Sequence, residues 1–225
     1  MEVNGAVLVP VREKRGLTTD SKHHNILKKT ETMSSAKSLI VYYARYNVWA
    51  TDRLLKAVAE IPDDQYHSNT GLCFRSIHGV LNHLYVADRL WLNRLTKQPY
   101  GEAQALLDSY WHRANSEMYS TKDTATMYWE EIVKDRHKLA AGLRAQVQEL
   151  VAFVEALPEE IPASFTYMRI DGPVTKDLST TLMHVVNHGT HHRGQVSAAI
   201  SMLQYPPPAL DLFYYHAVLE SAKTK

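Results

Sequence analysis

Apolar residues recur at spacings of three and four along most of the chain, and this period predicts amphipathic α-helices. Four long stretches show the period, at residues 35–61, 76–96, 123–157 and 175–203. Proline follows each stretch within a few residues, and Asp123 stands where the third helix needs an N-cap. Four such helices predict an all-α protein whose architecture is an up-and-down four-helix bundle.

Shorter patterns predict smaller elements between and after these helices. Residues 164–170 alternate apolar and polar side chains and lead into an Asp-Gly-Pro sequence at 171–173. This combination predicts a short β-hairpin or an extended turn before the last long helix. A short helix is expected inside the connection at residues 98–122, and another over residues 210–221.

The first 34 residues differ from the rest of the chain. They carry six basic and four acidic residues, a net charge of +2, and show no helical period. A segment of this kind buries little apolar surface, so we predict a disordered N-terminal extension at residues 1–34. Residues 35–225 are predicted to form one domain, because a chain of 225 residues is short for two.

The composition narrows the classes of function. Lys and Arg total 25 against 24 for Asp and Glu, so the formal charge of +1 gives no reason to expect a nucleic-acid or membrane partner. No apolar run reaches the 18 residues of a membrane span. The single cysteine, Cys73, excludes an internal disulfide framework and a CxxC metal site. It fits a reducing compartment, and we expect a cytoplasmic location.

Histidine is the unusual component, with 12 residues in the chain. His184, His188 and His192 follow one another at intervals of four in the predicted fourth helix, so their side chains share one face. His191 is rotated by about 100° from His192 and cannot point at the same centre. Two imidazoles at this spacing can converge on one metal ion, although isolated histidines are more often surface or core residues.

A metal site in a helical bundle needs a further ligand from a facing helix. The second predicted helix offers His83, which lies close to its apolar stripe and can point inward. We therefore predict a divalent metal ion held by His83, His188 and His192, with a coordination position open to water or substrate, as in catalytic zinc sites. Zinc is the expected metal, with nickel or iron as alternatives that imidazole also suits.

Other polar residues have weaker assignments. Asn47, Asp88 and Asn187 could hold the imidazoles in one tautomer, or could be surface or capping groups. Arg193 could bind an anionic substrate, or could form an ion pair on the helix surface. No catalytic residue can be assigned.

Two glycines, Gly189 and Gly194, lie inside the predicted fourth helix, where each costs about 1 kcal/mol relative to alanine. They indicate the close approach of a neighbouring helix or of a ligand beside the site. Tight helix packing alone is the alternative.

Three segments together resemble the DinB family. They are Tyr46–Ala50 (YNVWA), His83 followed by Ala87–Trp91 (ADRLW), and His188–Gln195 (HGTHHRGQ). The resemblance covers residues 35–215 and implies a DinB/YfiT-like four-helix bundle, often dimeric, that binds a divalent metal through three histidines. Those histidines match the three predicted ligands.

The resemblance also implies a chemistry. Members of the superfamily include transferases and isomerases that work with low-molecular-weight thiols. This chain would then be a metal-dependent enzyme that activates water or such a thiol for a small-molecule substrate. Two alternatives stay open: a non-catalytic metal-binding stress-response protein, and a bundle whose histidines serve packing alone. Residues 98–122 depart from the family pattern. The absence of Glu-x-x-His, HExxH, GxGxxG and P-loop sequences makes a di-iron, zinc-protease or nucleotide site improbable.

Overall fold

A computed structural model of the chain describes residues 35–121 and 125–223. The predicted extension at 1–34 and the predicted cap Asp123 lie outside the described residues. We number the described α-helices α1 (Ala36–Ala59), α2 (Asp63–Tyr66), α3 (Ile77–Leu95), α4 (Glu102–Ser109), α5 (Asn115–Met118), α6 (Arg136–Ala156), α7 (Leu178–Met202) and α8 (Leu212–Lys223). Two strands, β1 (Ser164–Arg169) and β2 (Gly172–Asp177), form an antiparallel hairpin, and 3₁₀-helices occupy Tyr110–His112 and Tyr128–Glu131.

The described chain is mostly helical, with one small hairpin before the last long helix, as the sequence predicts. The four long helices α1, α3, α6 and α7 pack against one another, since α1 and α3 each contact both α6 and α7. Apolar side chains between them form two clusters, one that includes Leu54 and Trp129 and one that includes Leu182 and Tyr215. None of the described helices is long and apolar enough to span a membrane.

Each long helix begins at a polar residue that caps it. Ser35 and Ser38 exchange hydrogen bonds in a capping box at the start of α1, and Ser76 accepts a bond from the Gly79 amide at the start of α3. Asp135 and Asp177 cap α6 and α7 in the same way. These bonds satisfy amides that have no partner within the helix, so they define where each helix starts.

The predicted third helix begins too early. The long helix α6 starts at Arg136 rather than at residue 123, and residues 128–131 form a 3₁₀-helix before it. Trp129 from this segment is buried in the core, and Asn82 of α3 holds the following turn, because its side-chain oxygen accepts a hydrogen bond of 2.9 Å from the Val133 amide. The apolar residues of this 3₁₀ segment therefore pack into the core and do not form the apolar face of a long helix.

The hairpin and the neighbouring short helices agree with the patterns more closely. Ser164 pairs with Asp177 and Arg169 with Gly172, which has a φ of 118° that favours glycine at the turn. Because residues 175–177 belong to β2, α7 begins three residues later than predicted. The predicted short helices correspond to α4 and α8.

Candidate metal centre

Three histidines from two helices meet at one point. The Nε2 atom of His188 lies 3.3 Å from Nε2 of His83 on α3 and 3.0 Å from Nε2 of His192, one turn further along α7. Ligand atoms of all three lie within 4.8 Å of one another, and theirs is the one group of three or more histidine, cysteine or acidic side chains in the described residues that could hold a metal ion. The structure thus brings together the three residues that the sequence selects.

Neighbouring side chains orient two of the rings. His192 Nδ1 lies 2.8 Å from the side-chain oxygen of Gln195, which can only accept, so the proton of the neutral ring is on Nδ1 and Nε2 carries a lone pair. His83 stacks on Phe74 with 4.2 Å between ring centroids and an interplanar angle of 15°. Its Nδ1 atom is buried, without a hydrogen-bond partner in the described part of the chain.

Burial keeps these rings neutral. It lowers the pKa of His83 to about 2, of His188 to about 3 and of His192 to about 4, and the neighbouring histidines lower the pKa of His83 and His188 further. Neutral imidazole is the form that binds a metal ion, because the ligating nitrogen must be free of a proton. A cation between the three Nε2 atoms would accept all three lone pairs at once, so the residues present fit a divalent metal ion of the kind that imidazole prefers.

The three histidines line one end of a cavity of about 570 Å³. Side chains of α3 on the same face as His83 continue the lining for three helical turns, at Ala87, Leu90, Trp91 and Arg94. Aromatic rings form much of the remaining wall, together with Cys73, which is free and half-buried. Burial raises the pKa of the Cys73 thiol. The cavity therefore connects the histidine cluster to a space with aromatic, apolar and charged walls that has room for a small molecule.

Neither of the two assignments that the sequence left open for Arg193 agrees with the structure, because Arg193 does not line this cavity and is not at the helix surface. Its guanidinium is buried, donates to the side chains of Asn47 and Thr190, and lies over the Tyr46 ring. Asp88 is buried nearby, and burial raises the pKa of its carboxyl to about 7, against the opposing effect of the Arg193 charge. These residues form a buried polar cluster that lies outside the cavity.

Of the other polar residues near these in the sequence, some line the cavity and others do not. Asn47 bonds to Arg193 rather than to a histidine of the cluster, and Asn187 is exposed. His184 and His191 line the cavity from exposed positions on α7. His78, the other histidine of α3, lies outside the cluster: it is fully buried, with Nδ1 2.9 Å from the Tyr66 hydroxyl.

Two basic residues of the cavity were among those missed by sequence reasoning. Arg94 stands 11 residues after His83, about three helical turns, so its position on the His83 face was readable from the helical period. Arg169 comes from the hairpin, and no pattern in the sequence relates it to the histidines.

The fold and the site define a mostly helical protein with a three-histidine cluster that could hold a metal ion. The model of the DinB family matches residues 30–223 of the chain. Among curated proteins, the chain is 26% identical to Protein DinB of Bacillus subtilis (strain 168) over 178 residues, which cover 79% of this chain and 94% of that protein. No solved structure matches the chain significantly. The chain belongs to the DinB family.

Proposed function

We propose that this protein binds a divalent metal ion through His83, His188 and His192 and is a metal-dependent enzyme for a small-molecule substrate. The observation that carries the proposal is the convergence of one ring nitrogen from each of the three histidines within 4.8 Å, beside a cavity that they help to line. A structural site would be closed by a fourth protein ligand, whereas this cluster offers three nitrogens beside open space.

The residues of the chain have distinct roles in this proposal. A bound divalent ion supplies Lewis acidity, which lowers the pKa of a coordinated water or low-molecular-weight thiol. Gln195 keeps the His192 lone pair on Nε2, and the stacked Phe74 ring holds the plane of His83. The aromatic wall excludes part of the solvent, which strengthens electrostatic interactions inside the cavity.

Several finer assignments belong to the same proposal. The long helices would form the four-helix bundle expected for the family, in up-and-down order, and the protein would act as a homodimer. Zinc is the proposed metal, with nickel or iron as the alternatives. The free Cys73 supports a reducing, cytoplasmic environment. Neither nucleic acid nor a membrane is proposed as a partner, because the net charge of +1 favours neither.

Metal analysis of tag-free protein tests the binding step. Wild type should contain about one divalent ion per chain, and His188→Ala or His192→Ala should lose it, because two imidazoles hold an ion weakly. His137→Ala is the matched control, since His137 is exposed on α6 and belongs neither to the cluster nor to the lining of the cavity. Equal metal content in wild type and His188→Ala would refute the site.

Turnover assays test the enzymatic step. The metal-loaded protein would be screened with several thiols and electrophilic acceptors, and also for hydrolysis. Activity should disappear with a chelator and in His188→Ala, and return when metal is restored to wild type. Metal binding without turnover over the whole panel would favour the non-catalytic metal-binding role instead.

A further inference from the structure

The far end of the cavity carries two arginines that the proposed metal site does not use, and each is paired with a carboxylate. Arg94 of α3 and Arg169 of β1 both line it, and Asp108 of α4 is the one carboxylate among the described lining residues. Asp108 accepts a hydrogen bond of 3.2 Å from Arg94, and a second from Gln104 at the same distance. Arg169 is itself paired with Asp171, with 3.4 Å between Nε and Oδ1, but this pair lies at the exposed turn of the hairpin and therefore contributes little.

Arg94 is held rigidly at this end. Its guanidinium carbon lies 5.0 Å from the centre of the Trp91 ring and 4.8 Å from that of Tyr167, so two aromatic side chains fix its plane. The side chain is only 11% exposed, and its Nε is buried without a hydrogen-bond partner in the described part of the chain. A buried donor without a partner is costly. Nε is closed to solvent, so a bound anion would meet the terminal nitrogens of the guanidinium instead.

The spacing along α3 relates this charge to the histidines. His83 and Arg94 are 11 positions apart in the sequence, which in a helix corresponds to about 16 Å between their Cα atoms. Long side chains lean toward the helix N-terminus, which moves the His83 ring and the Arg94 guanidinium in the same direction, so the interval between them stays roughly the same. Leu90, Trp91 and Ala87 line the interval with apolar surface.

We infer that the cavity takes an organic carboxylate: its acid group binds between Arg94 and Arg169, and its apolar body lies along α3 with the reactive end at the histidines. The inference rests on the proposed function for the claim that the cavity holds a substrate. A carboxylate is favoured over a phosphate, because one monoanion can replace Asp171 on Arg169 without changing the balance of two guanidiniums and two carboxylates. The paired oxygens of a carboxylate also match the guanidinium fork.

Binding of a carboxylate probe to the full-length protein tests the inference by calorimetry. The probe is 4-phenylbutyrate, compared with its uncharged amide and with 3-phenylpropylphosphonate. We expect Arg94→Gln to weaken binding of the carboxylate about 10- to 100-fold, the range of a charge-assisted hydrogen bond, and Arg169→Gln to weaken it less. Arg94→Lys should recover part of the loss, because the charge returns without the fork.

Two further variants separate this inference from the metal proposal. Arg89→Gln is the matched control, because Arg89 lies on the same helix but pairs with Glu149 outside the cavity. His188→Ala should lose metal and still bind the probe, whereas Arg169→Gln, on the hairpin away from the core of α3, should keep metal and bind the probe weakly. If His188→Ala lost both the metal and the probe, this inference would be overturned and the metal proposal would stand.

Other results would also overturn it. Equal affinity for 4-phenylbutyrate and its amide would show that charge plays no part. Unchanged binding in both Arg94→Gln and Arg169→Gln, with thermal melting showing that the variants are folded, would place the acid elsewhere. Tighter binding of the phosphonate than of the carboxylate would show that the site prefers a dianion, against the inferred carboxylate.

Discussion

At the scale of single residues, Gln195 contributes more to the site than its place outside the histidine cluster suggests. Its side-chain oxygen accepts from His192 Nδ1 at 2.8 Å, and its amide nitrogen lies 3.2 Å from His191 Nε2. The first contact selects the His192 tautomer that leaves Nε2 free for a metal ion. A hydrogen-bond partner of this kind fixes the orientation of the ring, and its removal typically weakens metal binding as well.

Replacement of Gln195 should therefore weaken metal binding without removing a ligand. We expect Gln195→Ala to lower the affinity for zinc about 10- to 100-fold, measured by competition with a chelating dye. Gln195→Glu keeps an acceptor oxygen and should retain most of the affinity. Gln148→Ala, at an exposed position of α6, is the control. Equal affinity in wild type and Gln195→Ala would show that His192 is oriented by other contacts.

Arg193 and Arg94 show why charge is hard to place from sequence. Arg193 lies beside His192 in the sequence, yet a neighbour along a helix points about 100° away. Arg193 is buried and donates a hydrogen bond to Asn47, whereas Arg94, 11 residues from His83, lines the same cavity as that histidine. Proximity in sequence is a poor guide to shared surroundings on a helix, and the period of 3.6 residues is a better one.

At the scale of elements, α7 contains two glycines with opposite roles. A Cβ atom at Gly189 would lie 2.8 Å from the Arg193 guanidinium and 3.1 Å from the Asn47 side-chain oxygen. A Cβ at Gly194 would meet nothing within 4 Å. Close approach explains the first glycine, and no contact in the described residues requires the second.

Alanine substitutions at the two positions should change stability in opposite directions. Gly189→Ala should lower the free energy of unfolding by about 1–3 kcal/mol, because Arg193 is buried and cannot move aside freely. Gly194→Ala should raise it by up to about 1 kcal/mol, because alanine favours the helix. Urea denaturation measures both. Destabilisation by Gly194→Ala would mean that this helix face needs space for a ligand or a second chain.

The element boundaries were predicted best where a local signal ends the helix. The starts of α1 and α3 agree with their serine caps, and proline follows the ends of both. The start of α6 failed because the apolar period continues through Trp129, whose ring is drawn into the core by long-range packing. The residue that caps α6 is Asp135, whereas the prediction placed the cap at Asp123.

At the scale of the whole molecule, buried histidines link stability to pH. Burial lowers the pKa of four of them to between about 2 and about 4: His78, His83, His188 and His192. An unfolded histidine titrates near 6.5, so below that pH the unfolded chain binds protons that the folded chain does not. The stability is therefore fully present above about pH 6.5 and is lost as pH falls toward the folded-state pKa values.

The metal-free protein should accordingly be less stable at pH 5 than at pH 7, by roughly 1–2 kcal/mol for each buried histidine. Asp88 acts in the opposite sense, because its raised pKa of about 7 favours the folded state at low pH, but it is one group against four. Urea denaturation at both values measures the difference, and His78→Gln should reduce it. A free energy of unfolding that is equal or greater at pH 5 would contradict the argument.

The sequence by itself determined the helical periods, the hairpin, the family segments and the three histidines of the candidate site. These follow from local physics: side chains four apart share a helix face, and serine, proline and glycine end or turn the backbone. Tertiary structure alone decided that α6 starts late, that Arg193 is buried, and that Arg169 of the hairpin lines the histidine cavity. Those outcomes depend on which faces of distant segments meet, because burial of a side chain is a property of the packed molecule and not of its neighbours in sequence.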